Sequence, residues 1–326
     1  MMYQRPSYAW DHVAARAGHA ALLNGDCRKL LAAIPDNSIS LTITSPPYCM
    51  GKAYEPGYTI ADFISAHDEI LPEIMRVTRP GGSICWQVGY HVDRNVVMPL
   101  DYLVFDAMRK LESPPVLRNR IIWAFGHGHH CPRRFSGRHE TLLWFTKGDD
   151  YLFNLDAVRV PQKYPGKRAN KGPKKGELSG NPLGKNPEDV WDDIPNVKAN
   201  HIEKLDHPCQ FPVALARRLV RALSSPGDIV LDPYSGVAST GAAALLEERR
   251  FIGAELDSGY AALGAERLLQ AIDGTLRIRD DKPIYVPDPN SAVARRPDHF
   301  WPFGSTQKKE VAIELSGGST RRPSAG

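Results

Sequence analysis

Two short loops, each directly after a predicted strand, constrain the fold of this chain more than any other feature. The first, TSPPY at 44–48, follows the apolar stretch 39–43, and the second, DPYSG at 232–236, follows the stretch 228–231. In open α/β sheets, ligands bind at the loops that follow the carboxyl ends of the strands. The sequence therefore predicts an α/β fold in which two such loops serve two ligands.

The first loop carries the clearest chemistry. Pro46 and Pro47 fix the backbone and remove two amide donors, so the Pro46 carbonyl and the Ser45 hydroxyl can act as rigid acceptors for a bound amino group. Tyr48 offers a flat face on which a nucleobase can stack. A plain rigid turn is the alternative interpretation. We predict that Ser45, Pro46, Pro47 and Tyr48 form a catalytic loop.

Helical and strand patterns alternate around these loops. Apolar residues recur at helical spacing in 60–78, and the segment RPGG at 79–82 is expected to end that helix before a buried strand. Alternating strands and helices favour a mostly parallel sheet. The strands at 120–125 and 141–145 are expected to pair antiparallel at one sheet edge. The remaining predictions are helices at 98–111, 211–223 and 239–248 and strands at 228–231 and 251–255.

The motifs resemble those of the amino-methylating DNA methyltransferases that use S-adenosylmethionine. TSPPY is similar to their catalytic loop, and LDPYSGVASTG at 231–241 is similar to their cofactor loop, although Ala238 stands where a second glycine is common. Alanine is the smallest replacement, so we expect it to narrow the loop without blocking it. Further similar segments are NGDC at 24–27, RPGGSICWQV at 79–88, HETLLWFTK at 139–147 and HPCQFP at 207–212.

The resemblance covers roughly residues 18–150 and 190–271, and its catalytic loop precedes its cofactor loop. That order resembles the permuted β arrangement of the family. It implies a Rossmann-like, mostly parallel sheet with helices on both faces and an antiparallel edge hairpin. It also implies a catalytic and cofactor-binding domain at 1–150 and 201–272, an inserted target-recognition region at 151–200 and a tail at 273–326.

The resemblance implies S-adenosylmethionine as cofactor. Glu255 ends a predicted strand, where a carboxylate can accept both ribose hydroxyls, although a surface charge is the alternative. By resemblance, Asp26 accepts the adenine amine, Asp232 faces the methionine amino group, and Gln210 and Phe211 lie near the methionine and adenine ends. Ser239 and Thr240 have helix capping as their alternative role. The complete predicted set is Asp26, Cys27, Gln210, Phe211, Asp232, Pro233, Tyr234, Ser235, Gly236, Ala238, Ser239, Thr240 and Glu255.

Positive charge is concentrated between the two similar blocks. The chain has a formal net charge of +4, yet residues 159–185 contain eight lysines and arginines against one acid, Glu177. Such a segment, without helical or strand period, is either a solvated, disordered loop or a surface that faces DNA phosphates. Within a DNA-modifying enzyme we favour the second. The predicted DNA-binding residues are Lys163, Lys167, Arg168, Lys171, Lys174 and Lys175.

Cysteine and histidine usage argues against disulfides and metal. The five cysteines are scattered, so we expect them to be reduced: Cys27, Cys49, Cys85, Cys131 and Cys209. A cluster of histidines precedes Cys131, but it lacks a second group of ligands at zinc-finger spacing, so no metal site is predicted. The cluster comprises His127, His129 and His130.

Several function classes are disfavoured. No Gly-x-Gly-x-x-Gly or Gly-Lys-Ser/Thr loop follows a strand, which argues against dinucleotide and P-loop enzymes. No run of eighteen apolar residues and no charged-then-apolar leader occurs, so a cytoplasmic protein is expected. A carbon-5 cytosine methyltransferase needs a Pro-Cys loop, which is absent, so Cys49 is expected to be a packing residue.

The predicted reaction is direct displacement on an exocyclic amine of a flipped base. By resemblance, a serine before the two prolines is usual for cytosine N4 and an aspartate for adenine N6, though some serine forms methylate adenine. We predict cytosine N4, with adenine N6 as the alternative. Ser45 argues against an RNA or protein methyltransferase, and the presence of both loops argues against a non-catalytic DNA-binding regulator.

Double-stranded DNA is the predicted partner, and a homodimer and a cognate restriction endonuclease are further candidates. The tail after residue 272 is basic and rich in Pro, Ser and Gly. We expect it to be partly disordered, with an auxiliary DNA-contacting arm as the alternative.

Overall fold

The computed structural model of the chain describes residues 19–48, 57–126, 128, 130–198 and 201–279. These residues cluster into two compact units. One comprises the described residues up to Val158 and from Glu188 onward, and the other comprises 159–187. The predicted insertion, 151–200, is therefore wider than the unit that the structure separates. The predicted tail lies outside the described residues from position 280.

An eight-stranded sheet forms the centre of the larger unit. Ten strands occur in the described residues; eight of them form this sheet, and β4 and β5 form a separate hairpin. They are β1 (Ala20–Asn24), β2 (Ile39–Thr44), β3 (Thr78–Val88), β4 (Tyr90–Asp93), β5 (Val96–Pro99), β6 (Val116–Ala124), β7 (His139–Thr146), β8 (Val190–Trp191), β9 (Ile229–Asp232) and β10 (Arg250–Glu255). The order in the large sheet is β1-β10-β9-β2-β3-β7-β6-β8. Within it only β7 runs against its neighbours, so the predicted mostly parallel sheet and the antiparallel pair β6 and β7 are confirmed.

Helices cover both faces of this sheet. They are α1 (Cys27–Ala33), α2 (Ile60–Val77), α3 (Leu100–Arg109), α4 (Val213–Leu223), α5 (Ser239–Leu246) and α6 (Ser258–Ile272), with a short 3₁₀ turn at Asp156–Val158. Successive strand residues point to opposite faces. In β3, Cys85 packs in the core with α4, α5 and α6, whereas Ile84 and Trp86 pack in the core with α1, α2 and α3. None of the described helices is long and apolar enough to cross a membrane.

Local sequence explains where several helices begin and how closely they pack. Thr59 and Asp62 form a reciprocal capping box at the start of α2. Gly241 of α5 lies against the sheet, since a Cβ there would stand 2.7 Å from the ring of Phe251. The alanine-rich α5 therefore approaches β10 at short range, which fixes the loop before it.

The structure differs from the predicted elements at several places, three of which concern the sheet and its connections. The segment 79–82 does not separate a helix from a strand, because β3 begins at Thr78 and includes it. An unpredicted hairpin, β4 with β5, precedes α3, and both residues of its turn have positive φ, Arg94 at 46° and Asn95 at 68°. Finally, β8 rather than β6 forms the edge of the sheet.

The smaller unit is held together by short antiparallel bridges. Val160 pairs with Lys185 and Arg168 pairs with Leu178. Between the second pair, Gly176 donates a backbone hydrogen bond of 2.8 Å to the Ala169 carbonyl near the turn. The unit is therefore a folded, hydrogen-bonded loop, where the sequence alone showed no strand period.

Candidate active site

The two loops that the sequence singled out meet in the middle of the sheet. Their strands, β2 and β9, are parallel neighbours, so both loops lie at the carboxyl ends of the strands, on the same side of the sheet. Thr44 donates a hydrogen bond of 2.6 Å from Oγ1 to Asp232 Oδ1, which also accepts from the Tyr234 amide at 3.1 Å. Asp232 is fully buried, and burial raises its pKa to about 6. This contact ties the start of the catalytic loop to the start of the cofactor loop.

The cofactor loop has two positions with left-handed backbone. Gly236 has φ of 51°, and a Cβ there would stand 3.1 Å from His207 Nε2. Ala238 has φ of 57° and ψ of 42° and is the N-cap of α5. A glycine at this position would adopt that conformation without the steric cost that alanine bears, about 1 kcal/mol. Ala238 therefore keeps the loop conformation at a small energetic cost.

A cavity of about 690 Å³ opens between these loops. Its volume is typical of sites for cofactor-sized ligands. Residues of the catalytic loop and of the cofactor loop share its wall with the N-terminal end of α1 and the end of β10. The predicted residues that line it are Asp26, Cys27, Ser45, Pro46, Pro47, Tyr48, Gln210, Phe211, Pro233, Tyr234, Ser235, Gly236, Ser239 and Glu255.

Two carboxylates stand in the wall of this cavity. Glu255 Oε2 accepts from the Gly236 amide at 2.8 Å and Oε1 accepts from the Asp257 amide at 2.9 Å. Burial raises the pKa of Glu255, and these backbone donors oppose the shift. Asp26 caps α1 and pairs with Arg28, whose hydrogen bonds lower the pKa of Asp26. Each carboxylate is thus fixed in position by local bonds.

Three predicted cofactor residues do not line the cavity: Asp232, Ala238 and Thr240. The side chain of Asp232 points to Thr44, and Thr240 donates to the Ile43 carbonyl at 3.3 Å. Asp232 and Thr240 thus bond the loops to β2, and cofactor contact by these three residues stays a prediction. The capping alternative for Ser239 and Thr240 is not observed either, since α5 has no side-chain cap.

Other predicted cofactor-binding residues already interact with groups of the protein itself. Gln210 Nε2 donates to the Glu203 carbonyl at 2.7 Å, so its amide braces the segment before α4. Ser239 donates to the Phe211 carbonyl at 2.8 Å. Burial raises the pKa of the Cys27 thiol to about 11, which keeps it protonated. These residues shape the wall of the cavity.

A second cavity, of about 910 Å³, adjoins the first. Six residues line both: Tyr48, Tyr58, His207, Cys209, Gln210 and Phe211. Tyr48 therefore stands between two spaces, although its side chain is 5% exposed, less than the open flat face that the sequence suggested. Its hydroxyl contacts Ser45 Oγ at 2.5 Å.

Sequence reasoning missed several residues of the second cavity. Burial lowers the pKa of His207 to about 4, so this imidazole is neutral where the two cavities meet. Gln87 and Glu140 come from neighbouring strands, β3 and β7. Their sequence segments were recognised, but the pairing that joins them depends on the sheet. Basic residues also line this cavity: Arg134, Lys198 and Lys204.

The predicted DNA-binding residues of the smaller unit are all exposed: Lys163, Lys167, Arg168, Lys171, Lys174 and Lys175. Arg168 also donates to the Gly176 carbonyl at 2.6 Å, which closes the turn. In the described residues, no group of three or more His, Cys, Asp or Glu side chains could hold a metal ion. His127 and His129 lie outside those residues. Cys27, Cys85, Cys131 and Cys209 are not joined in disulfides, and Cys49 lies outside the described residues.

Comparison with known proteins identifies the family. A family model described as DNA methylase, for the N6 and N4 types, matches residues 39–266. The chain belongs to this DNA methylase family. The type II methyltransferase M.BglII of Bacillus subtilis is 45% identical over 76% of this chain and 68% of that protein. The DNA adenine methyltransferase YhdJ of Escherichia coli K12 is 33% identical over 76% of this chain and 80% of that protein.

A solved structure shares the fold. TTHA0409 of Thermus thermophilus, in complex with S-adenosyl-L-methionine, is 30% identical, covers 78% of this chain and 94% of its own, and has a TM-score of 0.57. This DNA methylase thus has the class of fold and the family that the two loops indicated.

Proposed function

We propose that this DNA methylase transfers a methyl group from S-adenosyl-L-methionine to the N4 amine of a flipped cytosine in double-stranded DNA. One observation carries the proposal. The Ser45-Pro46-Pro47-Tyr48 loop stands where the two cavities meet, with Ser45 in the wall of the first and Tyr48 in the walls of both. A methyl donor in the first cavity and a base in the second would face each other across it.

The first cavity fits the methyl donor by its chemistry. Glu255 presents a carboxylate that can accept the ribose hydroxyls, and Asp26 can accept the adenine amine. Phe211, Tyr234 and Tyr260 supply aromatic wall. When bound, S-adenosyl-L-methionine supplies a methyl group activated by its sulfonium. The buried wall excludes water and so favours loss of the sulfonium charge.

Ser45 and Pro46 orient the amine in the proposed reaction. An exocyclic amine is a poor nucleophile because its lone pair is conjugated with the ring. Two acceptors, the Ser45 hydroxyl and the Pro46 carbonyl, would hold its hydrogens and direct the lone pair at the methyl group. Alignment of this kind supplies the proximity contribution to the rate. No covalent enzyme intermediate is needed.

We assign DNA contact and target recognition to the smaller unit, 159–187, on the basis of its exposed lysines. Neutralised phosphates would make binding strongly salt-dependent. A homodimer and a cognate restriction endonuclease remain part of the proposal. The similar protein M.BglII is named a type II methyltransferase, and that designation supports the second.

Adenine N6 is the second candidate substrate. It is favoured by the 33% identity to YhdJ, which is named as a DNA adenine methyltransferase. The neutral Ser45 hydroxyl accepts equally from either amine, so the shape of the second cavity would decide between the bases.

Digestion to nucleosides tests the proposal. Mixed-sequence DNA is incubated with the protein and methyl-labelled S-adenosyl-L-methionine, and the nucleosides are separated with mass detection. Label in N4-methylcytosine is the expected result. Label in N6-methyladenine would overturn the assignment of the base and keep the reaction class. Label in neither, with cofactor binding shown by calorimetry, would overturn the proposed activity.

A further inference from the structure

A chain of polar side chains leads away from the catalytic loop into the sheet. Ser45 Oγ lies 2.5 Å from Tyr48 OH, and Tyr48 OH lies 3.2 Å from the Gln87 carbonyl oxygen and 3.4 Å from Glu140 Oε2. Gln87 Nε2 donates to the same carboxylate oxygen at 2.5 Å. Ser45 and Glu140, 95 positions apart in sequence, are therefore linked through one phenol group.

The surroundings of Glu140 hold this chain in place. Glu140 lies on β7 opposite Trp123 of β6, and Gln87 comes from β3 on the other side. Gly89 packs against the Tyr48 ring, since a Cβ there would stand 3.4 Å from it. Three strands thus fix the positions of the phenol and the carboxylate.

Glu140 lines the second cavity, and the titratable and charged side chains in the same wall include His91, Arg134, His139, Lys198, Lys204 and His207. Among the described residues, Tyr48 is the titratable group that contacts it, and Lys198, from the segment after β8, is the cation whose field lowers its pKa. Gln87 and Trp123 are uncharged. Burial outweighs these contributions and raises the pKa of Glu140.

We propose that Glu140 accepts, through Tyr48 and Ser45, the proton that the target amine loses on methylation. The inference rests on the proposed function and extends it to a residue that does not touch the amine. Glu140 is in this sense a positioning and proton-accepting residue, and its role is the same for cytosine and adenine.

The step balances without a further reactant. The amine nitrogen forms a bond to the methyl carbon as the carbon–sulfur bond breaks, and the electron pair of that bond stays on sulfur. The nitrogen then gives a proton to Ser45 Oγ. Ser45 passes its own proton to the Tyr48 oxygen, Tyr48 passes its proton to Glu140 Oε2, and the carboxylate becomes a carboxylic acid.

The sign of the pH dependence follows from this role. Glu140 must be ionised to accept the proton, so the rate of transfer should rise with pH through the pKa of Glu140. Because that pKa is raised, the fall in rate on the acid side should begin at a higher pH than for an ordinary glutamate.

The test measures single-turnover methyl transfer to DNA across pH for the full chain and for Glu140→Gln. We expect a rate about 100-fold lower, a typical contribution for proton transfer, and loss of the acid-side fall. Affinity for S-adenosyl-L-methionine, measured by calorimetry, should stay unchanged. Glu112→Gln, at an exposed position after α3, is the matched control and should behave as the parent.

Tyr48→Phe supplies an independent variant because it keeps the ring and removes only the hydroxyl. It should lose the acid-side fall as well, and combining it with Glu140→Gln should cost little more than either change alone. If Glu140→Gln unfolds, the pH profile of Tyr48→Phe decides whether the relay from Ser45 through Tyr48 carries the proton. Retention of the acid-side fall in either folded variant overturns the inference. If the parent protein methylates no DNA, the proposed function fails instead.

Discussion

The strand-end loops and the smaller unit differ in how their polar groups are used. Around Thr44 and Asp232, polar side chains are buried and bonded to one another. In residues 159–187 every lysine except the half-buried Lys185 is exposed, and the backbone makes most of the bonds. Buried groups fix geometry to a fraction of an ångström, whereas exposed charges act at longer range and depend on salt. The residues proposed for catalysis and those proposed for DNA recognition thus lie in regions of different physical character.

The largest expected effect is a loss of methyl-transfer rate when Ser45, in the first strand-end loop, is replaced. Ser45→Ala removes one acceptor for the amine, and we expect the single-turnover rate to fall about 100-fold or more, the scale of a lost hydrogen bond in a transition state. Cofactor affinity should change little. Ser38→Ala, in the turn before β2, is the control. A rate within about twofold of the parent would remove Ser45 from the mechanism.

The next effect concerns the stability of the same region. The pKa of Asp232 in the folded protein is about 6, against a usual 3.8, so the folded state binds more protons between these values. Protonation stabilises the fold below the usual pKa, and this contribution is lost as pH rises through about 6. The loss is about 3 kcal/mol by linkage.

Asp232→Asn should remove that loss. Urea unfolding from about pH 4 to pH 7 should show the variant gaining stability relative to the parent as pH rises. Asp68→Asn, exposed on α2, serves as the control and should leave the profile unchanged. A constant difference between variant and parent across this range would show that Asp232 does not set the pH dependence.

DNA binding by the exposed lysines of residues 159–187 should depend on salt and not on pH. Replacing Lys171, Lys174 and Lys175 together by alanine should weaken DNA binding about tenfold at low salt and reduce the salt slope by about 3. Cofactor affinity should be unaffected. Fluorescence anisotropy with labelled duplex measures both quantities. Lys110→Ala, at the end of α3, is the control, and an unchanged slope in the triple variant would exclude these lysines from DNA contact.

The smallest effect is expected inside the cofactor loop. Ala238→Gly relieves the left-handed strain, about 1 kcal/mol, but glycine raises the conformational entropy of the unfolded chain and so disfavours folding by a similar amount. The free energy of unfolding should therefore change by less than about 1 kcal/mol, with cofactor affinity preserved. Denaturant unfolding checks the value. A change above about 2 kcal/mol would show that the Ala238 methyl has a packing role.

The part of the site that the sequence predicted is the part carried by local motifs. TSPPY, DPYSG and Glu255 could be identified because a short run of residues encodes each loop and its position after a strand. The roles of Asp232 and Glu140 depend on which strands are neighbours, and that information is distributed over the whole sheet. The hairpin of β4 and β5 was missed because its turn, Arg94-Asn95, lacks glycine.

The bridge between Val160 and Lys185 has a consequence for the evolution of the chain. Each residue donates its amide to the carbonyl of the other, at 3.0 and 2.9 Å, so the smaller unit leaves and rejoins the chain at one point. Whatever lies between them can be lengthened, shortened or exchanged without altering the distance that the flanking segments must span. Under the proposed assignment of target recognition to residues 159–187, exchange of this segment would change the recognised site and leave the residues of the two strand-end loops unchanged.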